Sequence, residues 1–131
     1  MRAQTQRVGP TYDVLAPDGS EIRLLVSVRG GSMVHCTLPP GRTTRAVKHR
    51  SVEEVWLCLA GAGELWRRDG SSGTPEIVAL EAGVAVSIPV GTDFQFRALG
   101  ARPLELVITT MPLPGPEEAL PAFGAWPASP A

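Results

Sequence analysis

The sequence is poor in the residues that form disulfide frameworks, membrane spans and nucleic-acid surfaces. Its two cysteines, Cys36 and Cys58, both lie within apolar runs, so we predict reduced core thiols. No window approaches the roughly 20 consecutive apolar residues of a membrane-spanning helix. Lysine and arginine number 12 against 13 acidic residues, which leaves no basic surplus to neutralise phosphates. These shortages predict a soluble protein that binds neither membranes nor nucleic acid.

The chain also has little length and no recognisable export signal. Its 131 residues suffice for one domain with a core of moderate size and leave no room for a second. The first residues lack the charged, apolar and small-residue segments of a secretory signal peptide. Together with the reduced thiols, this predicts a cytoplasmic protein.

Short runs rich in Val, Ile, Leu and Thr lie between glycines, prolines and other turn residues. None of them shows the 3.6-residue period that a helix of ten or more residues would need. The runs span residues 21–28, 32–38, 54–60, 63–68, 76–80, 84–88, 94–98 and 104–110. Strands at spacings near ten residues predict an all-β domain, either a sandwich or a barrel.

The C-terminal segment, residues 111–131, differs in composition. It contains six prolines and two isolated aromatic residues, Phe123 and Trp126. Proline at that density predicts an extended tail that forms neither a helix nor a strand ladder. Because a disordered tail is not expected to carry large aromatics, we predict that it packs on the domain or on a partner. The predicted division is an N-terminal arm and first strand over 1–19, a barrel over 20–110, and this tail.

Two segments carry glycines, prolines and polar residues at regular separations. The first reads Gly41, five residues, Val47, Lys48, His49, four residues, Glu54, six residues, Gly61. The second reads Gly83, five residues, Pro89, Val90, Gly91, two residues, Phe94, three residues, Ala98. These spacings resemble the paired motifs of the cupin superfamily. The resemblance implies a cupin-type jelly-roll β-barrel that is commonly a homodimer.

In metal-binding cupins, three histidines and a glutamate from these motifs converge on one divalent ion. Here Val47 and Phe94 stand at two of the histidine positions, and neither side chain can ligate a metal. His49 and Glu54 are then the remaining candidate metal ligands, whereas catalytic sites usually use three. We therefore expect no bound cofactor. The alternative is a divalent transition metal, namely iron, manganese, nickel, copper or zinc, held with a recruited third ligand.

His35 and Asp93 are the candidates for that third ligand. Asp93 is adjacent to Phe94 in the sequence, so strand alternation sends the two side chains to opposite faces unless a bulge intervenes. The direction of His35 is not determined by the sequence. A metal site built on either residue therefore remains the second hypothesis.

Strand alternation also predicts which side chains would line a cavity in place of the metal site. One face carries Arg45, Val47 and His49, the next strand carries Glu54, Trp56 and Cys58, and a late strand carries Phe94 and Phe96. The predicted substrate-binding residues are Val47, Trp56, Cys58, Phe94, Phe96 and His35. Apolar and aromatic walls with a few ionisable groups are typical of a small-molecule pocket.

The predicted catalytic residues are His49, Glu54 and Arg45. His49 would act as acid or base, Glu54 would orient it or act as the second group, and Arg45 would hold a substrate carboxylate or an oxyanion. This predicts a metal-independent isomerase, cyclase, epimerase or lyase acting on a small molecule. The alternatives are a metal-dependent cupin such as a dioxygenase, and a non-catalytic binding or sensor module in which His49 and Glu54 only pair with each other.

Overall fold

The computed structural model of the protein describes residues 2–70 and 73–130. Within these ranges the chain forms strands and connecting turns. The strands are β1 (Val14–Leu15), β2 (Glu21–Val28), β3 (Gly31–Leu38), β4 (Val47–His49), β5 (Glu53–Ala60), β6 (Ala62–Asp69), β7 (Glu76–Glu81), β8 (Ala85–Ile88), β9 (Thr92–Leu99), β10 (Leu104–Met111) and β11 (Ala119–Pro121). These described residues include no helix that could cross a membrane.

The strands form two antiparallel sheets. The larger sheet has six strands in the order β1-β2-β3-β10-β5-β8, and the smaller has five in the order β11-β4-β9-β6-β7. The strand order departs from the chain order in both sheets, because successive segments cross from one sheet to the other. The predicted all-β jelly-roll architecture is therefore confirmed.

The core lies between the sheets and follows from alternation along the strands. On β10, for example, Leu104, Leu106, Ile108 and Thr110 are buried, whereas the residues between them are partly exposed. From the smaller sheet, the side chain of Phe96 is 1% exposed and packs within the same core. Burial of such side chains is the main favourable contribution to the folding of a domain of this size.

Each of the eight predicted runs corresponds to a strand, β1 lies within the segment 1–19 where a first strand was predicted, and the three-residue strands β4 and β11 lie outside the eight runs. The prediction that the tail forms no ladder was wrong, because β11 pairs antiparallel with β4, with Ala119 opposite His49. The pairing is compatible with Pro121 because β11 is the edge strand of its sheet. An edge strand needs hydrogen bonds along one side only, so the missing N–H of a proline can face away from the ladder.

The part of the tail that follows β11 lies against the outer face of the smaller sheet. The backbone N–H of Trp126 donates to Gln95 Oε1 at 2.9 Å, and Gln95 Nε2 donates to the Trp126 carbonyl at 2.7 Å. The guanidinium of Arg97 lies 4.2 Å from the centroid of the Trp126 ring. Near the end of the tail, the Ser129 N–H donates to the Thr43 carbonyl at 3.0 Å. These contacts explain how Gln95 is only 1% exposed on an outward-facing position.

Replacing Gly61 by alanine is expected to destabilise the barrel. Gly61 connects β5 to β6 with a φ of 83°, and an added Cβ would collide with the Pro103 carbonyl oxygen. We expect a loss of about 1–3 kcal/mol in the free energy of unfolding, measured by urea denaturation. Gly30→Ala is the control, because its Cβ would meet open space. Equal effects of the two substitutions would contradict the expected strain at Gly61.

Candidate functional site

A cavity of about 720 Å³ lies between the inner faces of the two sheets. Its walls come from β2, β3, β5 and β10 of the larger sheet and from β4 and β9 of the smaller one. Residues 14–18, before β2, and residues 113–119, after β10, complete the lining. Most of the lining side chains are apolar, so the few ionisable groups stand in surroundings of low polarity.

Five of the predicted site residues do line this cavity. They are Val47, His49, Glu54, Trp56 and Phe94. Val47 and Phe94 are opposite each other in the pairing of β4 with β9. The two residues that stand at motif histidine positions are thus neighbours, and they contribute hydrocarbon surface to the cavity.

Arg45 and His35 are not brought into the cavity. Strand β4 begins only at Val47, so strict alternation does not extend back to Arg45. The Arg45 side chain is exposed, and its Nη1 donates to the Pro17 carbonyl at 3.2 Å. His35 Nε2 lies 3.1 Å from Glu105 Oε1 on the outward-facing positions of β3 and β10. The predicted placement of both residues in the pocket is therefore corrected.

Cys58 and Phe96 point inward as predicted but lie within the packed core and not on the cavity lining. Each is 1% exposed. They are two residues beyond Trp56 and Phe94 along their strands, where the opposing sheets pack closely. Burial raises the pKa of the Cys58 thiol, which disfavours the reactive thiolate. Both residues therefore pack in the core next to the cavity wall and do not line the cavity.

The Glu54 carboxylate is held by two donors. Its Oε1 accepts from Trp56 Nε1 at 2.9 Å, and its Oε2 accepts from Thr110 Oγ1 at 2.7 Å. The predicted alternative in which Glu54 pairs with His49 is thus replaced by these bonds. Because both partners are on the larger sheet, the carboxylate is fixed in orientation at the cavity surface.

His49 has a different environment. Its ring packs against Phe94 with centroids 5.3 Å apart, and its Nδ1 is buried without a hydrogen-bond partner among the described residues. A buried polar atom without a partner is unusual in proteins and costs free energy unless a ligand or water satisfies it. His49 is therefore the lining residue most in need of a polar partner.

Asp18 is an ionisable cavity residue that sequence reasoning missed. Its Oδ1 accepts from the Ser20 N–H at 2.9 Å and from Ser20 Oγ at 2.7 Å. Burial raises the pKa of the Asp18 carboxyl, and the Ser20 hydrogen bonds only partly oppose this. The Pro17-Asp18-Gly19-Ser20 sequence predicts a turn, but nothing in it indicates that the turn borders a cavity.

Glu118 ties residues 113–119 to the barrel. Its carboxylate accepts from the Ser51 N–H and Oγ and from the Val52 N–H, the last at 2.9 Å. These hydrogen bonds, chiefly the one from the Ser51 backbone, lower the pKa of Glu118 below its ordinary value. Like Asp18, Glu118 carries no recognisable motif, since its position depends on the path of the tail.

Attachment of residues 113–119 is therefore expected to depend on pH. Because the pKa of Glu118 is lowered in the folded state, its carboxylate stabilises the attachment at pH values above the ordinary pKa of glutamate. This stabilisation is lost as the pH falls through the lowered pKa. The protection of the β11 amides, measured as their exchange rate relative to the intrinsic rate at the same pH, should fall over that acidic range, and Glu118→Gln should show the lower protection already near neutral pH. Exchange that is identical in the two proteins would contradict this role of Glu118.

The lining residues do not fit a divalent metal. The described part of the chain contains no group of three or more His, Cys, Asp or Glu side chains arranged to hold an ion. Val47 and Phe94 occupy the surface where further ligands would be needed. We therefore derive no chemistry through a metal.

Two facing antiparallel sheets with a cavity between them define a jelly-roll barrel domain. The family of cupin domains matches residues 34–110. The chain belongs to the cupin family, as the paired motifs predicted. A search of the curated proteins found no match.

Several solved structures are similar in fold. A protein from Bacillus halodurans is 20% identical with a TM-score of 0.66, and the match covers 74% of each chain. A predicted oxalate decarboxylase from Thermotoga maritima is 22% identical with a TM-score of 0.59, covering 70% of this chain and 79% of the other. The capsular polysaccharide assembling protein CapF from Staphylococcus aureus is 17% identical with a TM-score of 0.69, covering 82% of this chain but only 32% of CapF. At these identities the similarity concerns the fold alone.

Proposed function

We propose that this protein is a metal-independent enzyme that transfers protons on a small organic molecule bound in the cavity. The observation that carries the proposal is the meeting of His49, Asp18 and Glu54 on one largely apolar surface. These residues come from β4, from the turn before β2, and from β5. Titratable groups on a largely apolar cavity wall are typical of acid–base catalysis.

His49 is the proposed proton donor or acceptor. A neutral imidazole has one nitrogen that donates and one that accepts, and it titrates close to neutral pH when unperturbed. The His49 ring lines the cavity, and its buried Nδ1 is not engaged by a hydrogen bond within the described residues, so the imidazole is free to interact with a bound molecule. Phe94 fixes the ring on one side, which limits the orientations available to the imidazole.

Asp18 and Glu54 are proposed to have distinct roles. Burial raises the pKa of Asp18, so its carboxylate takes up a proton more readily than an exposed one, and we assign it as a second base. Glu54 is held by Trp56 and Thr110, and we assign it to orienting the substrate or stabilising positive charge. A group that removes a proton and another that returns one elsewhere would suit an isomerase, epimerase, cyclase or lyase.

The proposal is tested on chelator-treated protein. Small molecules that raise its melting temperature are incubated with it in deuterium oxide, and proton NMR follows exchange of their C–H positions or their conversion. We expect exchange or conversion without added metal. A strict requirement for added metal would favour the metal-dependent alternative, and stabilising ligands that never exchange or react would favour a binding or sensor module.

The homodimer implied by the family resemblance and the cytoplasmic location remain predictions. Size-exclusion chromatography with light scattering would measure the mass of the particle in solution. A mass of one chain at micromolar concentration would contradict the homodimer.

A further inference from the structure

The charged side chains that line the cavity are all acidic. Asp18, Glu54, Glu117 and Glu118 contribute carboxyl groups, and among the residues that the structure describes His49 is the one other titratable side chain in the lining. No lysine or arginine is among the lining residues within 2–70 and 73–130. The cavity therefore offers hydrogen-bond acceptors and negative charge to a ligand, with no permanent cation to balance them.

The neighbouring arginine does not supply the missing positive charge. Arg45 is exposed, and its Nη1 is directed to the Pro17 carbonyl, outside the lining. A substrate carboxylate in the cavity would thus find no guanidinium, and it would lie close to carboxylates of the same charge. Placing an unpaired anion on a largely apolar wall beside carboxylates is unfavourable, because no cation there offsets the repulsion between like charges.

The carboxylates also retain acceptor capacity. Each oxygen of Glu54 accepts one protein hydrogen bond, and the two Ser20 bonds to Asp18 both use Oδ1. A carboxylate can accept about four hydrogen bonds in total. Glu54 and Asp18 can therefore each receive a further donor from a ligand.

Two aromatic side chains form part of the wall beside these carboxylates. Trp56 and Phe94 both border the cavity, with ring centroids 5.6 Å apart in an edge-to-face arrangement. Each side chain is only 2% exposed, so the rings contribute apolar wall. A ligand with one cationic end and an apolar remainder would match carboxylates beside such a wall.

We propose that the cavity binds small organic amines in their cationic form, with the nitrogen directed to Asp18 and Glu54, and discriminates against carboxylates. The inference rests on the proposed function in that it names the substrate class of the same cavity. It replaces the predicted role of Arg45 in holding a substrate carboxylate.

Three probes of similar shape test this selectivity: benzylammonium, benzyl alcohol and benzoate. Their affinities are measured near neutral pH by isothermal titration calorimetry. We expect benzylammonium to bind at least about tenfold more tightly than benzoate, with benzyl alcohol between them. Asp18→Asn and Glu54→Gln should each reduce that ratio. Glu81→Gln, which removes an exposed carboxylate outside the lining, should leave it unchanged.

Equal affinities, tighter binding of benzoate, or no binding of any probe would overturn the inference. Urea denaturation of each variant shows whether it remains folded, and two separate carboxylate variants protect the test against the failure of one. The outcome is distinct from that of the deuterium experiment. Metal-independent turnover of a carboxylate would overturn the amine preference but support the proposed function. Selective binding of amines without any exchange or conversion would support the amine preference but contradict the proposed function.

Discussion

Replacing His49 by glutamine should slow the metal-independent deuterium exchange of a substrate by a factor of about 10²–10⁴. Glutamine keeps polar atoms at the cavity surface but cannot take up and release a proton near neutral pH. Glutamine is close to histidine in size, so the substitution should leave no large empty space beside Phe94. The measurement compares exchange rates of wild type and variant at saturating substrate, so that a change in affinity is not mistaken for a change in chemistry.

The protein supplies a matched control in its other histidine. His35 lies outside the cavity lining and contacts Glu105 on the outward-facing side of the larger sheet. His35→Gln should therefore leave the exchange rate within about twofold of wild type because the residue lies outside the cavity, and urea denaturation checks that this substitution at a 6% exposed position leaves the protein folded. Loss of exchange in both variants would indicate a general structural effect. An undiminished rate in the His49 variant would exclude His49 as the acid or base.

Restoring histidines at residues 47 and 94 should create a metal site. Val47 and Phe94 are register partners, and both line the cavity together with His49 and Glu54. The double variant Val47→His, Phe94→His would thus offer three imidazoles and a carboxylate, a set suited to zinc or nickel. We expect it to bind about one equivalent of zinc, where the wild type binds less than about a tenth.

Stability gives a second measurement of the same site. Zinc at 100 times its dissociation constant should stabilise the folded double variant by about 2.7 kcal/mol, because only the folded state assembles the ligands. The control is the same variant with Glu54→Ala, which should lose most of this stabilisation. A folded double variant that takes up no zinc would show that these four side chains do not converge.

The longer strands could be predicted because burial of one face places apolar residues at alternate positions in the sequence. The predicted run 21–28 coincides with β2, and the predicted run 104–110 lacks only the last residue of β10. Strands β4 and β11, of three residues each, are too short to show alternation. Their pairing depends on where the tail returns to the barrel, and this is decided by contacts between residues about 70 positions apart.

The residues of the candidate site likewise include some that the local sequence predicts and some that it does not. The sequence by itself predicted the all-β class and which residues of a strand share a face, because the two-residue strand period acts locally. Its resemblance to the cupin motifs added the jelly-roll barrel and the inward direction of Val47, His49, Glu54, Trp56 and Phe94. Only the tertiary structure decided that Arg45 stays outside the lining, that Glu54 bonds to Trp56 and Thr110, and that Asp18 and Glu118 enter it. The physical reason is that these positions depend on loops and long-range contacts, for which no local period exists.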